Sequence, residues 1–350
     1  MEKSDIQIFA QSTDQLARHI TELHFKNHPE LTERYGAAGK DRCYEDAVFH
    51  LNYLAESITM QLPDMYANYI LWAASMLESR NIPESDLYNN IDYVQQSIEE
   101  LLGKQYAKLT EPYIQAAKEK LSNRKAENNS YINEGNPLKN EVSSYLDYLL
   151  NGKRQMANAL VNELIQNGVS IKNIYQDIFQ VSQYEVGRLW QCNKITVAHE
   201  HYCTAATQQI MSGLYQYIFN MDRNGKTLVA CSISGELHEM GIRMVADYFE
   251  MEGWDTYYLG TNLPEKQIEN YLIEYNADVL ALSVTLPLHI SKAAALIDKI
   301  KTNPSTQHVK IMVGGYPFIN NPELWQRVSA DGFAQNAEQA ILMANELTYT

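Results

Sequence analysis

The chain has 350 residues, with 43 Asp and Glu against 28 Lys and Arg and a formal net charge of −15. That length exceeds one typical core and suits two or three domains, three by the pattern below, and the acidic balance opposes direct nucleic-acid binding, which needs clustered Lys and Arg. No basic segment followed by an apolar stretch opens the chain, no apolar run is long enough to span a bilayer, and Cys43, Cys192, Cys203 and Cys231 form no CxxC pair, so the expectation is a cytoplasmic protein with reduced thiols, no membrane, no zinc site and no disulfide framework.

Residues 1–121 are helical by pattern. Val48, Leu51, Leu54, Ala55 and Ile58 make one apolar stripe, and Ile91, Val94, Ile98 and Leu101 another, while Pro63, Pro83 and Pro112 fit helix starts or breaks. His24 and His28 are four apart, but Pro29 follows directly and no third ligand is apparent, so they read as surface residues. The polar, aperiodic stretch 122–137, rich in Asn, Lys, Glu and Ser, reads as a linker.

Residues 138–222 read as about four helices, split near Gly152, Gly168 and Asn193, the pattern of a four-helix bundle. The bundle contains Trp190 and, after nine intervening residues, Glu200-His201. Alone, these would be a core aromatic and a solvated helix turn.

From 225 to 348 the apolar runs Thr227 to Ile233, Trp254 to Leu259, Val279 to Thr285 and Val309 to Val313 alternate with helical patterns, which predicts a parallel α/β sheet. Three elements stand at turns after such runs: Glu236-x-His238-x-x-Gly241, then Ser283-Val284-Thr285 after 41 residues, then Gly314-Gly315 after a further 28. Ligands of parallel sheets lie beyond the carboxyl ends of the strands, so the three are expected to converge on one site.

These residues and spacings resemble the motif of base-off cobalamin-binding domains, found in methionine synthase, some mutases, corrinoid carrier proteins and cobalamin photoreceptors. The resemblance implies that His238 replaces the corrin's own base as lower cobalt ligand, with Glu236 hydrogen-bonded to its other ring nitrogen. It also implies that the displaced nucleotide tail passes Gly241 towards Ser283, Thr285, Gly314 and Gly315. Glu236 stands where Asp is commoner, and Thr285 where Leu is usual. Trp190 followed by Glu200-His201 is similar to the signature of light-sensing adenosylcobalamin repressors, in which the Trp covers the upper corrin face and the Glu and His lie near the adenosyl group. Gln191 stands where many of those photoreceptors have a histidine.

The expected fold class is therefore multidomain, α and α/β: a helical N-terminal sensory or interaction domain, a four-helix bundle cap and a flavodoxin-like Rossmann-type cobalamin domain. The stretches Cys43 to Leu54 and Tyr66 to Arg80 more weakly resemble a helical module that precedes cobalamin sensory domains; in photocobilins such a sensor is joined to a biliverdin-binding domain. His50, Tyr53, Tyr66, Tyr69 and Trp72 are available to line a tetrapyrrole slot, while the plain reading of an aromatic stripe at helical spacing is core. The function this implies is a non-catalytic photoreceptor binding adenosylcobalamin, with a light-dependent homo-oligomer and an unknown protein partner. The alternative is a corrinoid methyl carrier serving separate methyltransferase subunits.

Overall fold

The computed structural model describes residues 8, 9, 11–124, 129–219 and 222–349. It comprises two compact units, Met1–Glu127 and Asn128–Thr350. The first seven residues, the linker segment 125–128 and positions 220–221 of the expected cap lie outside the described residues.

The first unit is helical: α1 (Thr13–Asn27), α2 (Glu30–Met60, interrupted at Gly36), α3 (Pro63–Glu78), α4 (Glu84–Leu102) and α5 (Lys104–Ser122). Both apolar stripes turn inward, with Leu51, Leu54 and Ile58 from α2 and Ile91, Val94 and Ile98 from α4 buried. Pro63 opens α3 and Pro83 precedes α4, but Pro112 lies inside α5 rather than at a break. The helix runs on because Tyr106, Ala107, Thr110 and Tyr113, Ile114, Ala117 bury one face on both sides of the proline, which outweighs one lost backbone bond.

His24 is not a surface residue; it is 5% exposed. α1 turns it towards α4, where Asn90 Nδ2 lies 3.4 Å from its Nδ1 and the Tyr93 ring 5.4 Å from its own. His28 is half-buried, its Nε2 3.2 Å from Asn89 Nδ2. His50 is buried with its Nδ1 2.9 Å from the Tyr69 hydroxyl, and Tyr69 stacks on Tyr53 at 3.7 Å between ring centroids. The residues grouped for a tetrapyrrole thus pack largely on one another.

This burial has a pH consequence. Desolvation pushes both His24, which also lies beside His28, and His50 down to about 4. The folded unit keeps both imidazoles neutral while the unfolded chain takes up protons near pH 6.5, so stability is complete above that pH and falls as pH drops towards 4. Asp46, pushed up to about 6 by burial and Glu45, acts in the opposite sense and offsets part of the loss. Each buried imidazole contributes about 2 kcal/mol of the loss at pH 5. Comparing chemical denaturation at pH 7.5 and 5.0, His50→Gln should lose less stability on acidification than the parent; equal losses would refute the assignment.

In the second unit the helical layer comprises α6 (Lys139–Leu150), α7 (Arg154–Gln166), α8, α9 (Val197–Gly213) and the short α10 (Tyr215–Ile218). α8 runs from Ile171 to Gln191 through a π-helical stretch, Ile174–Gln180, that carries the buried Tyr175 and Phe179. The backbone reverses at Gly152, Gly168 and Asn193, each at positive φ. Residues just ahead of this layer are bonded to it: Tyr131 N–H donates to Glu185 at 2.9 Å, and Asn136 Nδ2 to the Asp177 carbonyl at 2.8 Å.

The rest is an α/β layer: β1 (Thr227–Ile233), α11 (Met240–Met251), β2 (Asp255–Leu263), α12 (Glu265–Glu274), β3 (Val279–Ser283), a 3₁₀ turn (Pro287–His289), α13 (Ile290–Thr302), β4 (Lys310–Gly314), α14 (Tyr316–Asn320), α15 (Leu324–Arg327), β5 (Gly332–Phe333) and α16 (Ala337–Thr348). All pairings are parallel, in the order β2-β1-β3-β4-β5. The central strands are almost wholly buried, as a sheet covered on both faces requires. On one face Leu228, Ala230, Val279, Ala281 and Met312 share a core with α11, α16 and the helical layer. The bundle and the sheet, distinct in sequence pattern, are therefore one compact unit. Polar contacts reinforce the joint: Tyr175 donates to Asp247 at 2.8 Å, Arg243 to Ser212 at 2.7 Å and Gln208 to Glu239 at 2.5 Å.

Candidate functional site

β1 and β3 are neighbours, and the chain leaves them towards opposite ends of the sheet, which opens a crevice at their carboxyl ends. Glu236 fills its base and is 0% exposed. Its Oε1 accepts from the backbone N–H groups of Leu237 and His238, both at 3.1 Å, and lies 2.5 Å from His238 Nδ1. Its Oε2 accepts from the Thr285 and Leu286 N–H groups, both at 2.9 Å, and lies 3.2 Å from His289 Nδ1. Burial opposes ionisation, but the hydrogen bonds from His238, His289 and the Leu286 amide outweigh it and hold the carboxyl well below the usual carboxylate range.

For His238 the consequence is chemical. The carboxylate fixes the tautomer with the proton on Nδ1, so Nε2 presents a lone pair from a side chain that is 56% exposed. Leu237 beside it is 72% exposed, an apolar neighbour suited to a large apolar ligand. Among the described residues no three His, Cys, Asp or Glu side chains gather to hold a metal ion. A metal at His238 must bring its other ligands with it, as cobalt in a corrin does.

Ser283 and Gly314 are aligned across β3 and β4, and Ser283 is aligned with Ser232 of β1. Gly241 lies in the first turn of α11, where a Cβ would have no atom within 4 Å. Gly315 differs, because its φ is +105° and a Cβ there would lie 2.0 Å from the Val284 carbonyl oxygen. It is required by the close approach of two backbones. Thr285 is held through its amide, donated to Glu236.

Trp190 is half-buried near the end of α8. Glu200 closes the first turn of α9 and His201 follows it, with His201 Nδ1 2.5 Å from Glu200 and the Thr204 hydroxyl donating to Glu200 at 3.0 Å. His199 is tied to Thr196 in the capping box of the same helix. The polar contacts of Glu200 and His201 stay within the helical layer, whereas Glu236, His238 and Thr285 are joined directly. His289 escaped the sequence reading. The available signal was a second histidine six residues after Ser283, at the start of the following helix.

Residues 226–342 match the family model described as B12 binding domain, and residues 142–215 match a second model of the same description. The chain is similar to dimethylamine corrinoid protein 1 of Methanosarcina acetivorans, 25% identical over 166 residues, covering 47% of this chain and 76% of that protein. It is also similar to dimethylamine corrinoid protein 1 of Methanosarcina mazei, 24% identical over 191 residues, covering 53% and 81%. The solved monomethylamine corrinoid protein of Methanosarcina barkeri shares the fold, with a TM-score of 0.54 at 19% identity over 60% of this chain and 100% of that one. No helix among the described residues is long and apolar enough to cross a membrane. The second unit of this chain thus carries two B12-binding domains, one helical and one α/β, with Glu236 and His238 at the carboxyl end of the sheet of the latter.

Proposed function

We propose that the chain is a non-catalytic corrinoid carrier that holds cobalamin base-off, with His238 as the lower cobalt ligand, and that serves separate methyltransferase subunits. The observation that carries this is the pairing of the exposed His238 with the buried, fully hydrogen-bonded Glu236. When bound, the corrinoid supplies a cobalt that takes up and gives off an alkyl group. His238 would present Nε2 to the metal, and Glu236 keeps the Nδ1 proton in place. Gly241 and Gly314 leave room beside the strand ends, and Ser283 offers a hydroxyl there. The names of the corrinoid relatives favour this reading over a light sensor.

A second reading, an adenosylcobalamin photoreceptor, is favoured by the Glu200–His201–Thr204 cluster, whose carboxylate and imidazole suit ribose hydroxyls, with Trp190 closing off the upper face. Both readings share the lower ligand, so one experiment serves both. The purified chain, loaded in darkness with adenosylcobalamin or methylcobalamin and desalted, is followed by absorption before and after green light. Retention of methylcobalamin without a lasting photoproduct supports the carrier; an adenosyl-specific, stable light product supports the sensor; retention of neither defeats both. His238→Ala is expected to weaken retention by roughly 10–100-fold and to abolish the spectral signature of nitrogen ligation. A red band on adding biliverdin would assign the first unit to that chromophore.

A further inference from the structure

We propose that Ser232 belongs to the site for the nucleotide tail of the corrinoid, and that its hydroxyl donates a hydrogen bond to the displaced aromatic base. The proposal rests on the cobalamin reading above and assigns a residue outside the three motif elements.

The first observation is an unpaired group. Ser232 is 0% exposed, and its hydroxyl has no hydrogen-bond partner. A buried hydroxyl left without a partner is unfavourable, and a ligand atom that accepts from it would remove that penalty.

The second observation is position. Parallel register aligns Ser232 with Ser283 and Ser283 with Gly314, one row across the three central strands at their carboxyl ends. Residues in one row point to the same face, about 4.8 Å apart from strand to strand. The row two residues earlier is Ala230, Ala281 and Met312, all in the core shared with α11 and α16, so Ser232, Ser283 and Gly314 belong to that face as well. α11 also carries Gly241, with open space around its Cα. Two hydroxyl groups and a bare backbone therefore lie in a line across the strand ends. Ser283 and Gly314 are two of the positions already assigned to the tail, and Ser232 completes the row on the β1 side.

The third observation is the edge of the row. β2 slips register beside Ser232: Cys231 stands opposite Gly260 and Ile233 opposite Leu263, leaving Ser232 without an aligned β2 residue. Such irregularities in a strand accompany binding sites, where they break the regular cover of a sheet face. β1 is hydrogen-bonded on both sides, so a base would approach Ser232 from the face of the sheet rather than from between strands.

The test compares two corrinoids on three forms of the full chain. Cobalamin carries the nucleotide tail and cobinamide lacks it; each is titrated into the parent, Ser232→Ala and Ser232→Thr, with dissociation constants read from absorbance. Ser232→Ala is expected to weaken cobalamin about tenfold, the loss of one buried hydrogen bond, while leaving cobinamide within about twofold. Ser232→Thr keeps the hydroxyl and should stay within about threefold of the parent for cobalamin. Equal weakening of both corrinoids by Ser232→Ala, or no weakening of either, would overturn the assignment while leaving the corrinoid site standing. Failure of the parent to bind either corrinoid would instead overturn the cobalamin reading itself, and the assignment with it.

Discussion

Glu236→Gln is expected to lower the stability of the second unit by about 3–5 kcal/mol and to weaken metal ligation through His238 by roughly 10–100-fold. Each oxygen of the carboxylate serves two backbone N–H groups, Leu237 and His238 on one, Thr285 and Leu286 on the other. An amide has a single accepting oxygen, so whichever way the new side chain turns, its NH₂ meets two backbone donors that cannot change their role. His289 can switch tautomer to accept, but backbone amides cannot. The loss is thus that of two buried N–H groups, together with the negative charge that holds the proton on His238 Nδ1. Urea unfolding of the ligand-free protein reads the first effect and the absorption spectrum of the loaded protein the second. An unchanged unfolding midpoint would show that this carboxylate does not hold the two strand-end loops together.

Gly315→Ala is expected to cost more than about 3 kcal/mol, seen as a fall in unfolding temperature of about 10 °C or as failure to fold. Two independent penalties coincide: the positive φ of +105° and the 2.0 Å separation that a Cβ would have from the Val284 carbonyl oxygen. That oxygen belongs to backbone fixed by the Val284 N–H donated to the Gly314 carbonyl at 3.0 Å, so neither side can give way. Gly314→Ala is the control. Its Cβ would meet only the Ala334 carbonyl oxygen at 3.5 Å, an ordinary contact, and the fold should tolerate it. Its effect should fall instead on cobalamin binding, because the methyl enters the row at the strand ends. Equal thermal losses for the two alanines would contradict this division of labour.

Much of the architecture was legible in the residue pattern. The apolar runs that alternate with helical segments became a five-stranded parallel sheet with helices on both faces, because strands buried on both sides read as continuous apolar stretches. β5, Gly332–Phe333, is too short to leave such a run and was not foreseen. The inward turn of His24 was illegible for another reason. A histidine followed closely by proline looks like a helix end at the surface, and its burial comes from Asn90 and Tyr93, more than 60 residues away.

The site shows the same division. Glu236 two residues before His238 announced a carboxylate–imidazole pair, since both ends of that contact lie in one turn. The other half of the carboxylate's work, holding Thr285, Leu286 and His289, spans 49 to 53 residues and exists because β1 and β3 are adjacent. Strand order also set Ser232 beside Ser283 and brought Gly315, but not Gly314, hard against the Val284 carbonyl. Local spacing encodes contacts made within a turn. Contacts between turns depend on which strands pair and in what register, and that is chosen by the packing of the whole sheet.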